Sequence, residues 1–432
     1  MSGQISENPV LTELSDLLAR PVAARDLQRA RLHLLDWIGC AVAGAKEPAG
    51  TILKQSATSD ASGLAFVWGG FGNILEMDDV DKRALLHPGP SIIPAALALA
   101  DSFQSRDSDL LAAIVRGYEA TIRLGRAVGP AHYALWHSTG TCGAIGAAAA
   151  CANLLGLDES RTGHALALAM SQSAGLWHTR HDAASMGKQL HTSVAARAGL
   201  DAARLAQLGF LGPLEILEGE QGFFQAMCRD GDPRQVLADQ ADWMIHDVSF
   251  KPWPACRHAH AAIDAALELR DRITLDQIDR ITVRTYADAL KFCDRPSPET
   301  VIEAKFSLQH SVATTLVRGA PALEDFSTDS IQAPDLSALR AKVEVEIGAD
   351  YQDRYPARFG AEVSTNGETV IMADALGDPE NPIGDAQLIE KAESLMRAGG
   401  MSDESSRTLS AMVMSDDISI SDLIKRLREV LT

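Results

Sequence analysis

The feature that most constrains this chain is a change in hydrophobic period partway along it. From residue 8 to about 245, apolar residues recur at three- and four-residue steps, as at Leu32, Leu35, Ile38 and Val42, the spacing of one face of an α-helix. Pro88-Gly89-Pro90, Gly129-Pro130 and Gly212-Pro213 punctuate these segments. Near Lys251 the pattern changes. Ile281, Val283 and Thr285 alternate with polar residues, as do Val343, Val345 and Ile347, and then Phe359, Ala361 and Val363. That is the period of strands. Asn366-Gly367 supplies a hairpin turn, and Val370 and Met372 a fourth strand. Residues 257–271 and 305–318 keep helical spacing within this region, and the chain returns to helices after Pro382. A helical pattern cannot bury its apolar face as a strand, so the fold class follows: mainly α. A large all-α helical domain is expected from residues 1–248 and 376–432, with a smaller α+β domain, 249–375, inserted between them.

Charge narrows the partners. The 432 residues carry 39 Lys plus Arg against 58 Asp plus Glu, a formal net charge of −19. Nucleic acid and anionic membranes both need a positive face to release counterions, so neither is expected as a partner. A small anionic substrate held in a locally basic pocket is compatible. Aromatic residues make up 5% and are not interleaved with basic ones, which leaves no stacking platform for bases. The most apolar stretches, 91–100 and 142–157, are Ala-rich and do not supply the roughly 20 strongly apolar residues of a spanning helix. The six cysteines are scattered without a C-x-x-C pair, so no disulfide framework, zinc ribbon or clustered iron–sulfur site is expected. MSGQISENPV at the N-terminus has neither a basic nor an apolar signal region. A cytoplasmic location is the expectation.

The run from Gly140 to Ala150 has small residues on every face. Such a helix lets neighbours approach closely and belongs in the middle of a bundle. It is not a phosphate loop, because no strand precedes it and no Lys-Ser/Thr follows.

Chemistry-bearing residues gather in four segments. The first runs from Glu76 through Asp78, Asp79 and Asp81 to His87-Pro88-Gly89. It reads equally as a base with an orienting carboxylate or as a solvated acidic helix end. In the second, Tyr133 and His137 precede Ser138-Thr139 at the start of the small-residue helix. Its free N–H groups favour an anion; capping alone is the other reading. The third holds His178, Arg180, His181, Asp182, Lys188 and His191, a basic island in an acidic protein that suits a polycarboxylate. His178-x-x-His181-Asp182 also reads as a metal pair, but no third ligand follows at recognisable spacing, and no metal is expected. The fourth runs from Lys251 to His260, at the expected seam between domains. There Lys251 and Arg257 are better candidates than His258 and His260, which a helix would point in different directions.

In this order the segments resemble the MmgE/PrpD family of 2-methylcitrate dehydratase, cis-aconitate decarboxylase and iminodisuccinate epimerase. The matching pieces include Leu34 to Gly44, Asp78-Asp79 through His87-Pro88, Gly125 to Tyr133 with His137, Gly187 to His191, Gly209 to Pro213, Lys251 to Pro254, Ala304 to Ser307 and Gly377 to Pro382. The resemblance implies a homodimer, an interdomain active site and no required cofactor. It implies catalytic roles on Asp78 or Asp79, His87, His137, Lys188 and Lys251, while Tyr133, Arg180, His181, His191 and Arg257 are the expected substrate-binding residues. This chain departs from the family pattern at Val80, where Thr is common, at Gly89, where Ser is common, and at Ser138, where Pro is common. The expected chemistry is proton transfer at a carbon beside a carboxylate of a citrate-like acid. Dehydration is the favoured outcome. Decarboxylation and epimerisation are the alternatives, and a non-catalytic polycarboxylate-binding dimer is the further one.

Overall fold

The computed structural model describes residues 8–102, 105–182, 184–416 and 419–431. The chain forms two compact units, one from residues 1–248 and 385–432 and the other from residues 249–384. In chain order, the longer helices of the first unit are α1 (Val10–Leu18), α2 (Ala24–Gly44), α3 (Pro48–Gln55), α4 (Ala61–Phe71), α5 (Gly89–Ala100), α6 (Asp107–Ala127), α7 (Ser138–Leu154), α8 (Glu159–Met170) and α9 (Gly187–Gln207). The second unit carries β1 (Ile281–Thr285), β2 (Val343–Ile347), β3 (Ala361–Thr365) and β4 (Glu368–Met372), with α10 (His260–Arg270) and α11 (Leu308–Arg318). The chain then returns to the first unit as α12 (Asp385–Ala398), α13 (Asp403–Met414) and α14 (Ile420–Leu431). The fold is mainly α with a small α+β part, as the two hydrophobic periods require.

The small-residue helix α7 is the hub of the first unit, buried from Ser138 to Ala152. A Cβ on Gly146 would lie 1.9 Å from Thr121 Oγ1 and 2.6 Å from the Gly117 carbonyl, so α6 sits backbone-close on one side. A Cβ on Gly199 would come within 2.4 Å of Ala147 Cβ, so α9 does the same on another. Hydrophobic side chains such as Leu124, Ile145, Leu166 and Leu200 fill the remaining volume. None of the described helices is long and apolar enough to cross a membrane.

The sheet of the second unit has the order β2-β1-β3-β4. β1 and β2 run parallel, with Val283 opposite Val345, while β1/β3 and β3/β4 are antiparallel. Asn366 and Gly367 turn the β3–β4 hairpin at φ 51° and 84°, the left-handed pair that a two-residue turn demands. The alternation buries Ile281, Val283, Val363 and Val370 on the inner face.

Candidate active site

The acidic segment folds into a short closed loop. Asp81 and Leu86 exchange backbone hydrogen bonds of 2.9 and 3.4 Å, and Asp81 Oδ1 accepts from Ala84 N at 2.7 Å. Arg126 of α6 pins the loop through a 2.5 Å ion pair with Asp81. The closure carries His87 to the N-terminus of α5.

Asp79 is the anchor of this loop. Its buried Oδ2 accepts from Tyr118 Oη at 2.6 Å and from His33 Nδ1 at 2.7 Å, and its Oδ1 accepts from Gly89 N at 3.0 Å. Burial, then Asp79, raises the Tyr118 pKa well above its ordinary value, so the phenol stays a donor. Burial pushes His33 down to about 4 despite the carboxylate, so its Nδ1–H bond is that of a neutral ring. Three donors thus converge on the two oxygens of Asp79. The carboxylate also accounts for Gly89, since a Cβ there would meet Asp79 Oδ1 at 2.8 Å and Tyr118 Oη at 3.0 Å.

His87 is oriented by its Nδ1, which donates to the Asp79 carbonyl at 2.8 Å and lies 3.0 Å from Asp78 Oδ2. Both neighbours are acceptors, so Nδ1 carries the proton and a neutral ring keeps its lone pair on Nε2. Asn73 Nδ2 holds Asp78 in place at 2.6 Å. The His87 backbone N donates to Thr139 Oγ1 at 3.0 Å, which ties the loop to the first turn of α7.

His137 precedes that turn. Its backbone N donates to Gly175 O at 2.8 Å, and its ring lies 4.5 Å, centroid to centroid, from Trp177. The ring Nδ1 is 3.1 Å from Nδ1 of His191 on α9. Burial, then the charges of Lys188, His191 and His87, hold the His137 pKa well below its ordinary value. These four groups therefore act on one another, and His137 is neutral at pH 7. Lys188, in the first turn of α9, makes a close ion pair with buried Glu76. Glu76 has φ 60°, a left-handed conformation that costs a non-glycine residue about 1–3 kcal/mol.

The structure thus gathers Asp78, Asp79, His87, His137, Lys188 and His191 in the first unit. Nearby, Tyr133 stands edge-on to Trp177 at 5.8 Å. Arg180 and His181 lie in the 3₁₀ turn Trp177–His181, with Arg180 Nε 3.3 Å from His181 Nε2. In the second unit, Lys251 is buried, and Arg257 is buried in a 2.5 Å ion pair with Asp378, which also accepts from Ser249 Oγ. Arg257 is thereby committed to an internal carboxylate. His258 bonds Tyr286 Oη at 2.8 Å between stacked Phe292 and Phe359, whereas His260 bonds Ala255 O at 3.1 Å. Among the described residues, the one trio of His, Cys, Asp or Glu close enough to share an ion is Asp374, Asp378 and Glu380. Two of these already face Arg358 and Arg257.

Sequence reasoning placed Glu76 in the acidic segment but not opposite Lys188, and it missed His33 and Tyr118 as parts of this arrangement. Glu76 lies two residues before Asp78, but nothing local marks its backbone as left-handed. His33 and Tyr118 lie inside the long helices α2 and α6, and no local motif marks either one.

Two histidines, one held by a carboxylate and one buried beside a Lys–Glu pair, are side chains of the kind that can take up and release protons. Family models identify the chain's family. The MmgE/PrpD N-terminal domain matches residues 15–236 and the MmgE/PrpD C-terminal domain residues 253–417. The chain belongs to the MmgE/PrpD family. It is 29% identical to cis-aconitate decarboxylase of Homo sapiens over 379 residues, covering 78% of this chain and 76% of that one. It is 25% identical to cis-aconitate decarboxylase of Aspergillus terreus over 438 residues, 90% and 89% of the two chains. It is also 25% identical to mitochondrial 2-methylcitrate dehydratase of Yarrowia lipolytica over 221 residues, 49% and 42% of the two chains.

Proposed function

We propose that this protein is a lyase of small polycarboxylic acids, and that it decarboxylates an acid of the cis-aconitate type. The observation that carries the reading is the neutral, buried His137 beside both the Lys188–Glu76 pair and the carboxylate-held His87. Similarity to the cis-aconitate decarboxylases, over 76% and 89% of their lengths, supports the decarboxylation reading. Lys188 binds a substrate carboxylate, with Arg180 and His181 at the rim and Tyr133 packed behind Trp177. Loss of carbon dioxide leaves an electron pair on carbon, delocalised into a remaining carboxylate that Lys188 stabilises. His137 then delivers a proton to that carbon. Removal of a proton by His87, with loss of a β-hydroxyl, is the dehydratase reading, which the 2-methylcitrate dehydratase match favours.

The protein acts as a homodimer in this reading. Leu208, Phe210 and Leu211 after α9 are 83%, 58% and 70% exposed, an apolar patch that a second copy would cover.

The test is incubation with cis-aconitate, citrate, 2-methylcitrate and iminodisuccinate in deuterated water, followed by NMR. Carbon dioxide release from cis-aconitate, with one deuterium in the product, is expected. Turnover of 2-methylcitrate alone would replace decarboxylation with dehydration. Absence of exchange or turnover across the panel would overturn the proposal.

A further inference from the structure

The contact between His137 and His191 joins the same nitrogen of each ring, Nδ1 to Nδ1 at 3.1 Å. A hydrogen bond there needs one proton between the two atoms: with none, two lone pairs face each other, and with two, the N–H groups collide. The contact is built rather than incidental. A Cβ on Gly140 would lie 3.0 Å from His191 Cβ, and one on Gly175 would lie 3.4 Å from His191 Nδ1. Two glycines thus form the slot that seats the His191 ring, and Gly175 also holds the His137 backbone. The far nitrogen of His137, Nε2, is buried and has no hydrogen-bond partner among the described residues. His191 is only half-buried, so the pair runs from a dry nitrogen to a wetter one.

We propose that His191 is a positioning residue that sets the tautomer of His137 and relays its proton to and from solvent. This rests on the reading of His137 as the group that exchanges a proton with substrate. Suppose His137 carries its proton on Nε2 and His191 on Nδ1. When His137 Nε2 gives its proton to carbon, His137 Nδ1 takes the shared proton from His191 Nδ1, and His191 Nε2 takes one from solvent. Both rings end neutral with tautomers exchanged, and one proton has entered for the one delivered. The reverse sequence resets the pair when Nε2 of His137 takes a proton. Neither ring has to hold a lasting charge beside Lys188.

The test is ¹⁵N NMR of the full-length protein with labelled histidine at pH 7.5, with steady-state kinetics alongside. Wild type is expected to show both rings neutral and in opposite tautomers, one protonated on Nδ1 and the other on Nε2. His191→Asp, an acceptor only, should hold His137 in the Nδ1–H form. His191→Leu should release it to a tautomer mixture and lower kcat at least 10-fold with KM within 2-fold. His191→Asn, whose amide can accept from or donate to Nδ1, should leave both His137 tautomers hydrogen-bonded and populated and restore part of kcat. Unchanged His137 resonances in both His191→Asp and His191→Leu would overturn the coupling, as would identical tautomers in wild type. The spectra need no substrate. Tautomers that shift as stated while no acid is turned over would therefore refute the proposed function and leave the coupling standing.

Discussion

Asp79→Asn replaces one oxygen of the most heavily used carboxylate in the first unit with an NH₂ group. Tyr118 Oη and His33 Nδ1 converge on one oxygen at 2.6 and 2.7 Å, and Gly89 N on the other at 3.0 Å. An amide has one acceptor oxygen: turned one way its NH₂ faces the Gly89 N–H, and turned the other it requires Tyr118 Oη to accept and His33 to move its proton to Nε2. The least costly orientation keeps the oxygen on Tyr118 and His33 and sacrifices Gly89. That removes a charge-assisted bond and leaves a buried N–H unsatisfied, each worth about 1–3 kcal/mol. The expected loss is therefore about 2–6 kcal/mol. Tyr118→Phe removes one donor and leaves the carboxylate with two, so about 1–2 kcal/mol is expected. The assay is urea denaturation followed by circular dichroism, with midpoint shifts converted through the common slope. Because the Asp79 carbonyl and the Gly89 turn also hold His87, Asp79→Asn should lower kcat at least 10-fold. A destabilisation below about 0.5 kcal/mol for Asp79→Asn would refute the reasoning, since three donors on two buried oxygens cannot tolerate an amide at so small a cost.

Lys188→Met should reduce kcat/KM by roughly 100-fold or more, in the range for loss of a group that stabilises developing charge. Glu76→Gln should cost less, because Glu76 positions the cation rather than meeting substrate; equal losses would contradict these roles. Burial pushes His33, His132, His258 and His310 each down to about 4. The unfolded chain binds these protons near pH 6.5 and the folded chain resists them, so stability is full above about pH 6.5 and falls as pH drops towards 4. Each group contributes a slope of up to about 1.4 kcal/mol per pH unit, and His258→Phe should flatten the denaturation profile by about one proton. Gly146→Ala drives a methyl into Thr121 and the Gly117 carbonyl and should destabilise by about 2 kcal/mol or more, read as a lowered thermal midpoint.

The two hydrophobic periods carried the fold class. Ile281, Val283 and Thr285 became β1 and Asn366-Gly367 became the hairpin turn, because alternation and turn chemistry are local properties of a few adjacent residues. The small-residue run became the buried hub for the same reason: without side-chain bulk on any face, it can be approached from all sides. The site was only partly legible. Asp78, Asp79, His87, His137, Lys188 and His191 were chosen from their segments, yet their roles depend on partners far along the chain. Asp79 meets His33 and Tyr118 across 46 and 39 residues, Lys188 meets Glu76 across 112, and His137 meets His191 across 54. Sequence by itself determined which residues could accept, donate or carry charge, and which segments would be helix or strand. Only the packing of α2, α6 and α9 around the Glu76–Gly89 loop and the start of α7 decided which donor meets which acceptor. A hydrogen bond is made or lost over less than an ångström, and that distance is set by side chains interdigitating across the core, not by spacing along the chain.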